Sequence, residues 1–135
     1  MEITRRGFIA RAFSSFLGLI ALSRCSTKPA TPEEKLRKNL VGLFSKPESA
    51  RLVGAEYLRA AKESGEKAFS NISSTLKEKF SASYTNTTKE QLKKFFSARR
   101  MKDFEEGRIV EVQGWILSVT EAQLCAVVTY DHRSN

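Results

Sequence analysis

Histidine is almost missing from this chain. There is one, His132, among 135 residues. Catalytic His pairs and His-based zinc sites need at least two converging side chains, so neither has its raw material. The lone His132, three residues from the end, is expected to be a solvated tail residue. Cysteine is nearly as scarce: Cys25 and Cys125 lie 100 positions apart, which excludes any CxxC redox or metal motif. Cys125 sits among Leu124, Ala126 and Val127 and reads as a buried small hydrophobe, so a pairing with Cys25 is not expected. The seven glycines are scattered, and no Gly-rich phosphate loop forms. Internal repeats and low-complexity tracts are absent. The longest apolar run, Ala12 to Leu22, spans 11 residues and contains Ser14, Ser15 and Gly18. A spanning helix needs about 20 apolar residues, so a transmembrane anchor is disfavoured.

What the chain has in excess is positive charge: 23 Lys and Arg against 15 Asp and Glu, a formal +8. Positions 1–23 hold Arg5, Arg6 and Arg11 against Glu2, so +2 belongs to them and +6 to the remainder. Such a balance suits an acidic protein partner, an anionic lipid surface or nucleic acid. It selects none of them. The residues after position 23 suffice for one domain, which buries about two-thirds of its unfolded surface without help from disulfides or metals.

The first 30 residues have a basic start, the short apolar run and small residues beyond it, the three-part layout of an export signal. Within it Thr4-Arg5-Arg6-Gly7-Phe8-Ile9 resembles the twin-arginine (Tat) signal, Ser/Thr-Arg-Arg-x-Phe-Leu, with Ile9 in place of Leu. Paired guanidiniums make forked hydrogen bonds to carboxylates that Lys cannot copy. The weak apolar run and Arg24 near the cleavage site fit the same route. A general secretory leader that contains Arg-Arg, and an Arg- and Ser-rich mitochondrial presequence, are the competing readings. Ala21 and Ser23 are the small residues that a signal peptidase reads, favouring a mature start at Arg24. Leu22-Ser23-Arg24-Cys25 resembles a lipobox, but Arg24 stands where a small residue is required, so Cys25 is expected to stay unlipidated. The resemblance implies passage through the Tat translocase and residence in the periplasm or cell envelope.

The expected organisation is a signal peptide over 1–23, a linker over 24–30, a helical domain over 31–130 and a polar tail over 131–135. The fold class is mainly α, a small bundle of four or five helices with a short β-hairpin before the last. Thr31-Pro32-Glu33-Glu34 is a capping box with Pro at the first helical position, and Leu36, Leu40, Leu43 and Phe44 form one apolar face ending near Phe44. Ser45 is the expected cap of a second helix that runs to about Lys62, carries Val53, Tyr57 and Ala61, and stops at Gly65. Phe69, Ile72, Leu76 and Phe80 mark a third over 66–82, followed by a loop over 84–88. Thr87 and Thr88 offer overlapping caps for a fourth helix with Leu92, Phe95 and Phe96 on one face. Met101 and Phe104 rotate off that face, which predicts a kink or a second contact surface near Arg99. Gly107 closes this helix. Gln113-Gly114 then joins two β-rich runs as a tight hairpin, and Ser118 caps the last helix, with Ala122, Leu124, Cys125 and Val128. Trp115 is expected to be buried beneath Phe104 and the final helix.

Two clusters are candidates for a site. Lys89, Lys93, Lys94, Arg99, Arg100 and Lys102 crowd 14 positions with Phe95 and Phe96 among them, a surface for a protein partner or anionic lipid. Because Phe95 and Phe96 share a face with Leu92, and an exported protein meets little nucleic acid, nucleic acid is not expected as a partner. Asp103, Glu105 and Glu106 form an acidic knot, and Asp103, Glu106 and Arg108 are the candidate residues of an acid–base site, though carboxylates at a helix end are more often solvated or paired to a nearby Arg. No cofactor is expected. Patches of the mature chain, among them Arg51-Leu52-Val53-Gly54, Asp103-Phe104 and Gly114-Trp115-Ile116-Leu117-Ser118, resemble a set of small Tat-exported proteins of unassigned function. Some such proteins are subunits beside exported redox enzymes. The resemblance implies a non-catalytic accessory protein or small subunit bound to another envelope protein.

Overall fold

Thr31 begins the first helix as its sequence dictates. In the computed structural model, which describes residues 28–133 and side chains through 130, the Thr31 hydroxyl accepts from the Glu34 N–H and the Glu34 carboxylate accepts from the Thr31 N–H. Helix α1 (Pro32–Val41) follows, then α2 (Pro47–Ala61), α3 (Gly65–Phe80), a 3-10 turn (Ser81–Asn86), α4 (Lys89–Glu105), strands β1 (Ile109–Val112) and β2 (Trp115–Ser118), and α5 (Val119–Arg133). The fold is thus mainly helical, with a two-stranded antiparallel hairpin before the last helix. Thr31–Asn135 forms one compact unit. The export-signal residues Thr4, Arg5, Arg6, Phe8 and Ile9, the cleavage residues Ala21, Ser23 and Arg24, and Cys25 lie outside the described residues.

Several boundaries differ from expectation, each for a local reason. Helix α1 stops at Val41, yet Leu43 and Phe44 still pack on the core from the turn that follows. Helix α2 is capped by Lys46 without a side-chain bond, not by Ser45, because Pro47 presets the first turn. It runs to Lys62 as expected, but the stop is Lys62 itself in the left-handed conformation (φ 53°), not Gly65. Gly65 instead opens α3 behind Ser64, whose hydroxyl accepts from the Lys67 N–H. A Cβ on Gly65 would stand 2.5 Å from that of Tyr130, so glycine here serves a close approach. Helix α4 is a single unbroken helix, so the kink expected near Arg99 is not seen. No second contact surface among the described residues covers Met101 or Phe104, and both are exposed. The tail expected over 131–135 is partly helical, since α5 continues to Arg133.

Helix α5 is the centre of the molecule. It packs against α1, α2, α3, α4 and both strands. Residues Leu124 to Thr129 are buried consecutively, the pattern of a helix surrounded on all sides. Leu36 and Leu40, Tyr57, Phe69, Ile72 and Leu76, Leu92 and Phe96, and Val112 close around it. Helix α2 approaches closest. Ala50 and Gly54 stand one turn apart on the shared face, and a Cβ on Gly54 would overlap the Cys125 carbonyl. The Thr129 hydroxyl ties the crossing by donating toward the carbonyls of Arg51 (3.0 Å) and Cys125 (3.2 Å).

The end of α4 is a Schellman motif. Gly107 takes φ 69°, its N–H donates to Phe104 O (3.3 Å), and the Arg108 N–H donates to Asp103 O (2.8 Å). The hairpin that follows pairs Val112 with Trp115 across Gln113 (φ 50°) and Gly114 (φ 80°). Two positive φ values in a two-residue loop make a type I′ turn, as the Gln-Gly pair predicts.

Candidate functional site

The structure brings Asp103, Glu106 and Arg108 together. The Schellman turn folds Arg108 back over α4, so that its Nη2 lies 2.7 Å from Asp103 Oδ1 and its Nε 3.1 Å from Glu106 Oε2. Asp103 Oδ2 meanwhile accepts from the Thr120 N–H (2.9 Å) and the Thr120 hydroxyl (2.6 Å). Asp103 is 2% exposed. Both of its oxygens are engaged, one by a cation and one by the first turn of α5, where a carboxylate also meets the positive end of the helix dipole. An acid–base carboxyl must reach a reacting atom, and this one faces its own protein. The cluster is a clamp that joins the end of α4 to the start of α5.

The clamp continues into the neighbouring cap. Ser118 Oγ accepts from the Glu121 N–H (3.0 Å), and Glu121 Oε2 accepts from the Ser118 N–H (3.1 Å), a reciprocal capping box. The other Glu121 oxygen receives Arg100 Nη1 at 3.3 Å. Arg100, though exposed, is therefore paired within the protein, and Lys102 pairs with Glu106 at 3.6 Å. Of the six cations expected to form a surface, Lys89, Lys93, Lys94 and Arg99 have no ion-pair partner among the described residues.

Helix α4 buries only Leu92, Phe96 and Asp103. The rest of its circumference is open, which is why so charged a helix is tolerated there. Phe96 is core, whereas Phe95 is half-buried and meets Phe80 edge-on, ring centres 5.7 Å apart. The two Phe rings line a groove of about 530 Å³ bordered by Lys79, Lys94, Arg99 and Lys102. The combination is an apolar floor with a cationic rim.

Trp115 contradicts the expectation that it is buried. It is 69% exposed, and Phe104, expected to cover it, is 47% exposed itself. The reason is its place on the hairpin. Strand β1 packs against α2 and α5, whereas β2 packs against α4 and α5. Exposure along β2 rises with distance from the α5 junction, from 0% at Ser118 through half-buried Leu117 to 62% at Ile116 and 69% at Trp115. Its cross-strand partner Val112, the last residue of β1, remains buried.

Cys125 is buried as expected. Desolvation, helped by nearby Glu121, pushes its thiol up to about 12, so it carries no thiolate at neutral pH. Among the described residues no group of three or more His, Cys, Asp or Glu is placed to hold a metal, and no helix is long and apolar enough to cross a membrane. One arrangement escaped the sequence altogether. The Arg37 guanidinium lies against the rings of Phe69 (4.5 Å) and Tyr130 (4.6 Å), which lie 32 and 93 positions away, and no local pattern announces such a contact. No family model, no curated protein and no solved structure matches the chain.

Proposed function

We propose that this chain is an exported, non-catalytic accessory protein that docks an acidic segment of another envelope protein against α4. The observation that carries the reading is the groove over Phe80 and Phe95 with Lys79, Lys94 and Arg99 unpaired at its rim. Leaving that many cations on one open helix is repulsive within the free protein and is relieved by a carboxylate-rich partner. Met101 and Phe104 on the same helix, and Trp115 and Ile116 on the strand beside it, supply uncovered apolar surface of the kind that anchors interfaces. The Thr4-Arg5-Arg6-Gly7-Phe8-Ile9 motif supports delivery through the Tat translocase to the periplasm or cell envelope. A Tat-exported redox enzyme is the kind of partner that this address brings within reach. The engagement of Asp103 in the clamp speaks against an acid–base enzyme built on Asp103, Glu106 and Arg108.

The test has two arms. Arg5→Lys with Arg6→Lys keeps the charge and removes the forked bonding, so the precursor is expected to accumulate uncleaved in the cytoplasm. Export at parental yield overturns the Tat route. A photo-crosslinker at Lys94 is expected to give one discrete protein adduct in the envelope fraction, lost when Lys79 and Arg99 are both changed to Glu. Adducts with lipid instead, or recovery on anionic vesicles that the same charge reversal abolishes, would replace the protein partner by a membrane surface.

A further inference from the structure

A second cavity, distant in chemistry from the groove on α4, lies where α1, α3 and the last turns of α5 meet. It measures about 420 Å³, within the range of small-ligand sites. Four formal charges line it: Glu33 and Arg37 from α1, Glu66 and Lys77 from α3. None of these four has an ion-pair partner among the described residues, although both signs line the one cavity. Arg37 is not simply solvated. Its guanidinium lies against the rings of both Phe69 and Tyr130, its Nε is sealed from water without an acceptor, and Ser73 Oγ in the same wall is likewise sealed and unbonded. A guanidinium held against two rings keeps its edge for a planar, forked acceptor and loses little freedom on binding one.

We propose that this cavity binds a short zwitterionic peptide, with a carboxylate at one end and a protonated amine at the other. The lining decides between ligand classes. A dianion such as phosphate meets Arg37 and Lys77 but is repelled by Glu33 and Glu66, and a simple cation meets the reverse. Only a molecule of both signs satisfies all four, with its carboxylate on Arg37 and Lys77, its ammonium on Glu33 and Glu66, and the Ser70, Ser73 and Ser74 hydroxyls of α3 between them. Glu66 and Lys77 stand 11 positions apart on α3, about 16 Å at a rise of 1.5 Å per residue, so separated charges fit better than adjacent ones.

The full-length chain, labelled with 15N, is titrated separately with glycylglycine, acetate and inorganic phosphate. Glycylglycine is expected to shift the amides of Arg37, Ser70, Ser73 and Ser74 saturably, while equal concentrations of acetate and phosphate leave them in place. Lys77→Gln and Glu66→Gln, both at exposed positions that leave the core intact, should each weaken glycylglycine several-fold. Arg37→Lys, which keeps charge but not the fork, should weaken it by roughly tenfold or more. No saturable shift, phosphate or acetate binding as tightly as glycylglycine, or parental affinity in Lys77→Gln and Glu66→Gln overturns the proposal.

Discussion

Asp103→Ala tests whether the clamp between α4 and α5 holds the C-terminal third in place. Removing the carboxylate strands the buried N–H and hydroxyl of Thr120, each of which loses its acceptor, and leaves Arg108 without its 2.7 Å partner. A hydrogen bond to a charged group contributes about 1.5–3 kcal/mol. Arg108 is 44% exposed and keeps Glu106, so its share is discounted for solvent screening. The two Thr120 bonds then dominate, and the expected loss is about 3 kcal/mol. With roughly 2.1 cal/mol/K of unfolding entropy per residue over about 105 residues, that corresponds to a fall in Tm of roughly 10–15 °C. Thermal unfolding followed by circular dichroism measures it. Asp103→Asn, whose amide oxygen still accepts from Thr120, should lose less than the alanine variant. Thr120→Val on the Asp103→Ala background should add little, because the partners act as one unit. A Tm within about 2 °C of the parent for Asp103→Ala would refute the clamp, and additive losses in the double variant would show that the bonds are not coupled.

Gly54→Ala drives a Cβ into the Cys125 carbonyl, and since the neighbour is backbone the helices must separate. A loss of about 1–3 kcal/mol or more is expected by chemical denaturation, and parental stability would mean that α2 and α5 are not so close. Trp115→Ala, by contrast, should change stability by less than about 0.5 kcal/mol, and Trp115 itself should show red-shifted emission readily quenched by iodide. Blue-shifted emission or a large fall in Tm would return it to the core. In a Cys25→Ser variant Cys125 should resist alkylation in the native state at pH 8.5 and react fully in denaturant, while labelling at the rate of a free thiol would place it at the surface. Its folded thiol, raised from 9.0 to about 12, stays protonated while the unfolded thiol ionises, so stability should fall as pH rises from about 9 toward 12. Cys125→Ala should show a shallower fall over that window, and an unchanged slope would show that the thiol is not desolvated.

Much of this molecule follows from short-range chemistry. Thr31 with Glu34, Thr88 with Gln91, and Ser118 with Glu121 form the three reciprocal caps because each needs only residues three positions apart. Gly107 and the Gln113-Gly114 pair likewise dictate a left-handed stop and a type I′ turn from local backbone preference. The apolar stripes through Leu36 and Leu40 and through Phe69, Ile72 and Leu76 reach the core because helical period alone puts them on one face. Partnerships between distant segments lie beyond that reach. Periodicity states that a residue is apolar, not whether anything will cover it, and so Trp115 stays exposed at the far end of β2 while Val112 opposite is buried. The same limit hides Gly54 at a helix crossing and Asp103 under Thr120, 17 positions away, where a carboxylate that reads as surface charge becomes a buried acceptor. Arg37 beside Phe69 and Tyr130 is the extreme case, since its neighbours come from two other helices and only their packing decides that one cation is held while Lys94 and Arg99 remain open.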